Sequence, residues 1–194
     1  RQGHRLLFVV IASYAFYAYT ELWFPLLMAT STAISFVGGL LIERNSSQRA
    51  RRLLLAVGVA GVLSLLGFFK YADFLATSAS SLLETITARG LPGLEELTRG
   101  ILLPAGISFY TFEAISYMVD IYRGKIPAER NPVRYAFFIS FFPHLIAGPI
   151  VRYDKLAPQL HRFYRVDADL FRSGVLLVSI GLTKKVLLAD GIAG

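Results

Sequence analysis

The segment Tyr135-Ala-Phe-Phe-Ile-Ser-Phe-Phe-Pro-His-Leu-Ile-Ala-Gly-Pro-Ile150 constrains this chain most. It is nearly long enough to cross a membrane, a task that takes about 20 apolar residues in a helix. Yet Pro143 and the pair Gly148-Pro149 break it, and basic segments flank both ends. Irregular backbone at membrane depth is tolerated only where protein covers it or where it lines a wet cavity. The segment is therefore expected to dip into the bilayer and return as a re-entrant hairpin.

The rest of the composition agrees with a lipid environment. The chain is 55% hydrophobic and 17% charged, whereas soluble domains sit near 45–50% and about 25%. The net charge of +7 would point to nucleic acid in a soluble protein. Here the basic residues gather between apolar runs, so they read as membrane topology, and no nucleic-acid partner is expected. With no cysteine, a disulfide framework and a thiolate metal site are excluded. The aromatic run Leu6–Thr20 lacks the small-residue site of a cleaved signal peptide. The sequence opens on Arg1 and closes on Gly194 without a polar tail, which reads as a truncated piece of one larger membrane domain.

Apolar runs cover Leu6–Tyr19, Leu22–Ile42, Leu53–Phe69, Ile101–Val119, Tyr135–Ile150 and Leu170–Ala189. The connections 43–52, 120–134 and 151–173 are rich in Arg and Lys, while 70–100 holds only Lys70, Arg89 and Arg99. Short basic loops stay in the cytoplasm. That rule puts 43–52, 120–134 and 151–173 inside and 70–100 outside. A full crossing at 135–150 would contradict it, and a hairpin satisfies it. In the outer connection Phe74–Thr87 is predicted as a separate interfacial helix, with Leu82, Leu83 and Ile86 on one face, and Leu91-Pro-Gly93 as a turn. Pro104 and Gly106 predict a kink or a helix start. The predicted fold is all-α: a polytopic helical membrane bundle with a re-entrant hairpin.

Polar residues within the apolar runs are the site candidates. Glu113, Ser116 and Asp120 share one helical face, with Tyr117 at its edge. Carboxylates in such helices cost about 2.5–3.5 kcal/mol at the helix centre and are functional hypotheses by default. The stripe is expected either to line a cavity or, at Asp120 beside Arg123, to be merely paired or solvated. Glu113 and Asp120 lie about 10 Å apart along a helix, too far to share a proton. His144 is either a general base or a structural partner for a broken-helix carbonyl, the second being favoured. His4 and His161 fall in expected loops. No histidine spacing fits a metal. Lys184 and Lys185 interrupt the last apolar run and either snorkel to an interface or meet an anionic ligand. Gly124-Lys125 lacks the earlier glycine of a phosphate-binding loop, and Asn45-Ser46-Ser47 matches a glycosylation sequon on the wrong side.

Several strings resemble the membrane-bound O-acyltransferase family, in its alginate O-acetylation and teichoic-acid D-alanylation branch. They are Gly67-Phe-Phe-Lys-Tyr71, Leu103-Pro-Ala-Gly-Ile-Ser-Phe-Tyr-Thr-Phe-Glu-Ala-Ile-Ser-Tyr-Met-Val-Asp-Ile-Tyr-Arg-Gly124, Phe141-Phe-Pro-His-Leu-Ile-Ala-Gly-Pro-Ile-Val-Arg-Tyr153 and Gly181-Leu-Thr-Lys-Lys-Val-Leu-Leu-Ala-Asp190. Ala12–Tyr17 fits more weakly. The resemblance implies a bacterial cytoplasmic-membrane, multi-pass enzyme that moves an acyl group, acetyl above all, from acyl-CoA or an acyl-carrier thioester toward an extracytoplasmic polysaccharide. It implies an acyl carrier protein and an SGNH-type acyltransferase as partners, besides the bilayer, and no bound cofactor. The family's hallmark histidine lies in a later helix, so the chain resembles the N-terminal portion, with no catalytic residue of its own. Pro143, His144, Gly148, Pro149 and Arg152 then belong to a structural motif. A transporter or channel subunit, and a non-catalytic membrane scaffold, are the alternatives.

Overall fold

A computed structural model describes residues 2–87, 104, 106–147, 149–160 and 167–193. The described residues are helical, with no strand among them. The chain divides into two units, 1–160 and 161–194.

The first unit begins with α1 (Gln2–Thr20) and α2 (Phe24–Arg44). Pro25 stands in the first turn of α2, where its missing N–H costs nothing. His4 lies in α1, not in a loop: no helix breaker separates it from the apolar run. Next comes α3 (Gln48–Thr87), a single helix of 40 residues and about 60 Å at 1.5 Å per residue. The separate helix expected at Phe74–Thr87 is thus the end of α3. No glycine or proline stands between Gly67 and Thr87, so nothing stops the helix where hydropathy falls. α2 and the 48–71 portion of α3 are long and apolar enough to cross a membrane.

α4 (Ile107–Tyr122) follows Gly106, which is left-handed at φ 74°. The helix start expected near Pro104 is realised here: the Pro104 carbonyl accepts from the Ile107 N–H at 3.2 Å. At its other end Gly124, at φ 70°, closes a Schellman turn. The Lys125 N–H reaches Asp120 O, and the Gly124 N–H reaches Ile121 O, both at 2.9 Å. Gly124-Lys125 is therefore a helix terminator.

The broken segment becomes α5 (Pro132–Ser140) and α6 (Phe142–Ala147). Asn131 caps α5, its side chain accepting from the Val133 and Arg134 N–H groups. The helix stops before Pro143, which offers no N–H to Ile139 O and whose ring crowds that carbonyl. Phe141 takes the extended conformation, at φ −62° and ψ 96°. Residues 149–152 are non-helical, Gly148 lies outside the described residues, and α7 (Tyr153–Leu160) follows. That helix corrects the expectation of a plain connection over 151–173. Tyr153, Leu156 and Leu160 carry its buried or half-buried face.

α4 is the centre of this unit. Ser31, Ser35 and Gly39 recur every four residues on α2 and are all buried. Small residues at this spacing let helix backbones approach closely. A Cβ added at Gly39 would lie 2.7 Å from Tyr117 Cε1 and 2.8 Å from Ile121 Cδ1. On the α3 side, Met118 Sδ stands 2.7 Å from where a Cβ at Gly58 would be.

The second unit contains α8 (Ala168–Thr183), a π-helical stretch Lys184–Ala189 and α9 (Asp190–Ala193). Asp167 caps α8 through the Asp169 N–H.

Candidate functional site

The stripe on α4 meets the chain that emerges from the broken segment. Glu113 is fully buried. Its Oε1 accepts a hydrogen bond from the Val151 backbone N–H at 3.2 Å. Asp120, also buried, faces Arg152 Nη1 at 4.0 Å and Lys125 Nζ at 3.5 Å. Both carboxylates of the stripe therefore hold two adjacent residues just beyond Pro149. The span of about 10 Å between them is bridged because Val151 offers its backbone and Arg152 its long side chain. Arg123, the neighbour expected to pair with Asp120, is exposed; the Schellman turn brings Lys125 to Asp120 instead.

Tyr117 also works as a clamp. Its Oη accepts from the Glu129 N–H at 2.9 Å. Its ring packs against those of Tyr135 and Tyr153, with centroids 4.5 and 5.3 Å away. Glu129 in turn accepts from Tyr153 Oη and from the Arg130 and Asn131 N–H groups at 2.9 and 2.8 Å. Glu43, at the end of α2, accepts from the Ala128 N–H at 2.9 Å and pairs with Arg130 at 2.7 Å. The loop between α4 and α5 is thus fixed at successive backbone donors. Burial, and next the hydrogen bond to Glu129, push the Tyr153 phenol well above its ordinary pKa.

At the other end of α4, Gly106 packs against both α1 and α6. A Cβ there would lie 2.7 Å from Tyr17 Oη and 2.9 Å from the Leu145 carbonyl oxygen. Of the remaining candidates, Pro143 and Pro149 are exposed and terminate helical segments. His144 stands in α6, with its side chain outside the described residues. Lys184 and Lys185 open the π-helical stretch of the second unit, and both are exposed. Such stretches are unusual and are frequent at functional sites. Among the described residues no cluster of three His, Cys, Asp or Glu side chains is placed to hold a metal.

Glu43, Glu129 and Tyr153 were not singled out in the sequence. They join segments far apart in the chain, which periodicity cannot see. Only Tyr153 carried a signal, closing the Phe141–Tyr153 motif. Chemically, the arrangement is a rigid, polar frame around the mouth of the broken segment.

The α4 stripe and the two residues it holds lie in the motifs quoted above, and over nearly its whole length the chain is similar to acyltransferases of the membrane-bound O-acyltransferase type. Its relatives include the alginate O-acetylases. The probable alginate O-acetylase AlgI of Pseudomonas aeruginosa is 44% identical over 194 residues, covering 99% of this chain and 36% of that protein. The peptidoglycan O-acetyltransferase of Helicobacter pylori is 32% identical over 217 residues, covering 96% of this chain and 39% of the relative. The teichoic acid D-alanyltransferase of Bacillus subtilis matches at 28% over 89 residues, 45% of this chain and 22% of the relative. The chain thus spans less than half the length of these curated relatives. No family model matches the chain, and no solved structure does.

Proposed function

We propose that the whole protein is a multi-pass O-acyltransferase of the bacterial cytoplasmic membrane. It moves an acetyl group from a cytoplasmic thioester, acyl-CoA or an acyl carrier, toward an extracytoplasmic polysaccharide of the alginate type. The observation that carries this reading is the 44% identity to an alginate O-acetylase over 99% of the chain. In the transfer the thioester C–S bond breaks, an ester C–O bond forms, and the acceptor proton ends on the released thiol. The base is a histidine outside these 194 residues. An SGNH-type acyltransferase completes delivery outside the membrane.

The present chain supplies the frame for the donor side. Residues 135–150 form a re-entrant hairpin in a polytopic bundle. Glu113 and Asp120, through Val151 and Arg152, fix where that hairpin rejoins the cytoplasmic face. Support comes from the helix break at Phe141 and from the basic loops around it.

The test uses the full-length protein in membranes, a thioester donor with a labelled acetyl group, and acceptor polymer. Label is expected to enter the polymer as ester. Pro143→Leu and Gly148→Leu should abolish transfer by straightening the segment; full transfer by both would remove the hairpin from the mechanism. Movement of donor without ester formation would favour a transporter.

A further inference from the structure

A second feature lies away from the α4 stripe. The starts of α1 and α5 enclose a cleft of about 340 Å³, lined by Gly3, His4, Leu6, Leu7, Asn131, Val133 and Arg134. We propose that this cleft binds the headgroup of an anionic phospholipid, with one acyl chain lying along α1.

The cleft has a mixed polar and apolar lining. Arg134 supplies positive charge, His4 and Arg134 supply polar nitrogens, and no carboxylate lines the cleft among the described residues. Asn131 Oδ1 is already committed to the Val133 and Arg134 N–H groups. The donors open to a ligand are therefore side chains, not the end of α5. A phosphate diester is the anion that matches them, since arginine recognises phosphate through a planar set of donors. Leu6, Leu7 and Val133 add apolar lining. From there Leu7, Phe8 and Ile11 continue down α1 as an exposed apolar surface. A soluble phosphate compound would leave that surface bare, whereas a lipid chain covers it. Position agrees as well, for basic pockets between membrane helices on the cytoplasmic side suit anionic headgroups. α5 starts within the 120–134 segment that the charge pattern assigns to that side, and the start of α1 shares the cleft with it.

The experiment is native mass spectrometry of the full-length protein released from nanodiscs of phosphatidylglycerol or phosphatidylcholine. One phosphatidylglycerol should be retained, and phosphatidylcholine should not. Arg134→Gln with His4→Gln should lower that occupancy about fivefold or more. Arg134→Lys should restore much of it, and Arg123→Gln, in an exposed position outside the cleft, should change nothing. Leu7→Ser should weaken retention of the lipid without affecting inorganic phosphate. Unchanged occupancy in the double variant would overturn the proposal, provided the variant elutes as one sharp species. An equal loss in Arg123→Gln would overturn it too, as a general charge effect. So would displacement of the lipid by coenzyme A, which would assign the cleft to a soluble phosphate.

Discussion

Glu113 and Asp120 occupy one face of one helix, yet they hold the chain in different ways. Glu113, fully buried, accepts from a backbone N–H. Asp120 pairs with Arg152 and Lys125, whose side chains are 55% and 50% exposed. The first tie fixes a point of the main chain. The second works through long side chains that water can replace. The emerging chain is thus pinned at one residue and only guided at the next. Sensitivity to substitution should fall steeply along α4 from its start to its end.

The largest effect is expected at the head of α4. Gly106→Ala would force a Cβ against a carbonyl oxygen at 2.9 Å and hold alanine at a left-handed φ, at about 1–3 kcal/mol for the backbone alone. The protein should fail to accumulate or should melt far earlier in detergent. Glu113→Leu comes next. It strands the Val151 N–H, at about 1–3 kcal/mol, while Glu113→Gln keeps an acceptor and should lose much less. Equal thermal losses in the two variants would break the comparison, because charge rather than acceptance would then be what matters.

Tyr153→Phe removes one hydrogen bond to Glu129 and should cost about 1 kcal/mol near neutral pH. It also carries a pH signature. Burial and Glu129 favour the neutral phenol, so its folded pKa lies above the ordinary 10.0. Below that pH both states keep the proton. Above it the unfolded chain releases the proton first, so stability falls as pH rises. The phenylalanine variant should lose this share of the alkaline decline in thermal midpoint. Asp120→Asn should be mildest, at about 0.2–1 kcal/mol, and its effect should shrink in high salt. A loss at Asp120 as large as that at Glu113 would erase the gradient.

The helices were legible because apolar runs and their breakers are local. Pro104-Ala-Gly106 announced the start of α4, and Pro143 the end of α5. The 3.6-residue period placed Glu113 and Asp120 on one face, where they are found buried. Their partners were not legible. Val151 contributes only a backbone N–H, which no side-chain pattern encodes. The Asp120–Lys125 pair depends on the left-handed Gly124 between them, and the turn it makes is not encoded in the helical period. Tyr153 to Leu160 was missed because Asp154, Lys155 and Gln159 on its other side, and Pro158 within it, masked a short apolar face. Asn131-Pro132 set the true start of α5, three residues before the apolar run that begins at Tyr135.

Arg51 shows how one residue can answer to two kinds of selection. Its Nη2 donates to the carbonyls of Ile121 and Tyr122 at 3.2 and 2.8 Å, and its guanidinium lies 5.6 Å from the Tyr122 ring centre. It splints the free end of α4, where unsatisfied carbonyls and the helix dipole both favour a cation. In the proposed topology it also adds to the positive charge that orients α2 and α3. Arg49 and Arg52 beside it hold no side-chain hydrogen bond or ion pair among the described residues, so in that topology lysine should replace either without loss. At position 51 lysine would keep the orientation and give up the planar stack. Three arginines that look interchangeable in the sequence should therefore drift at different rates, and the slow one marks where topology and folding share a side chain.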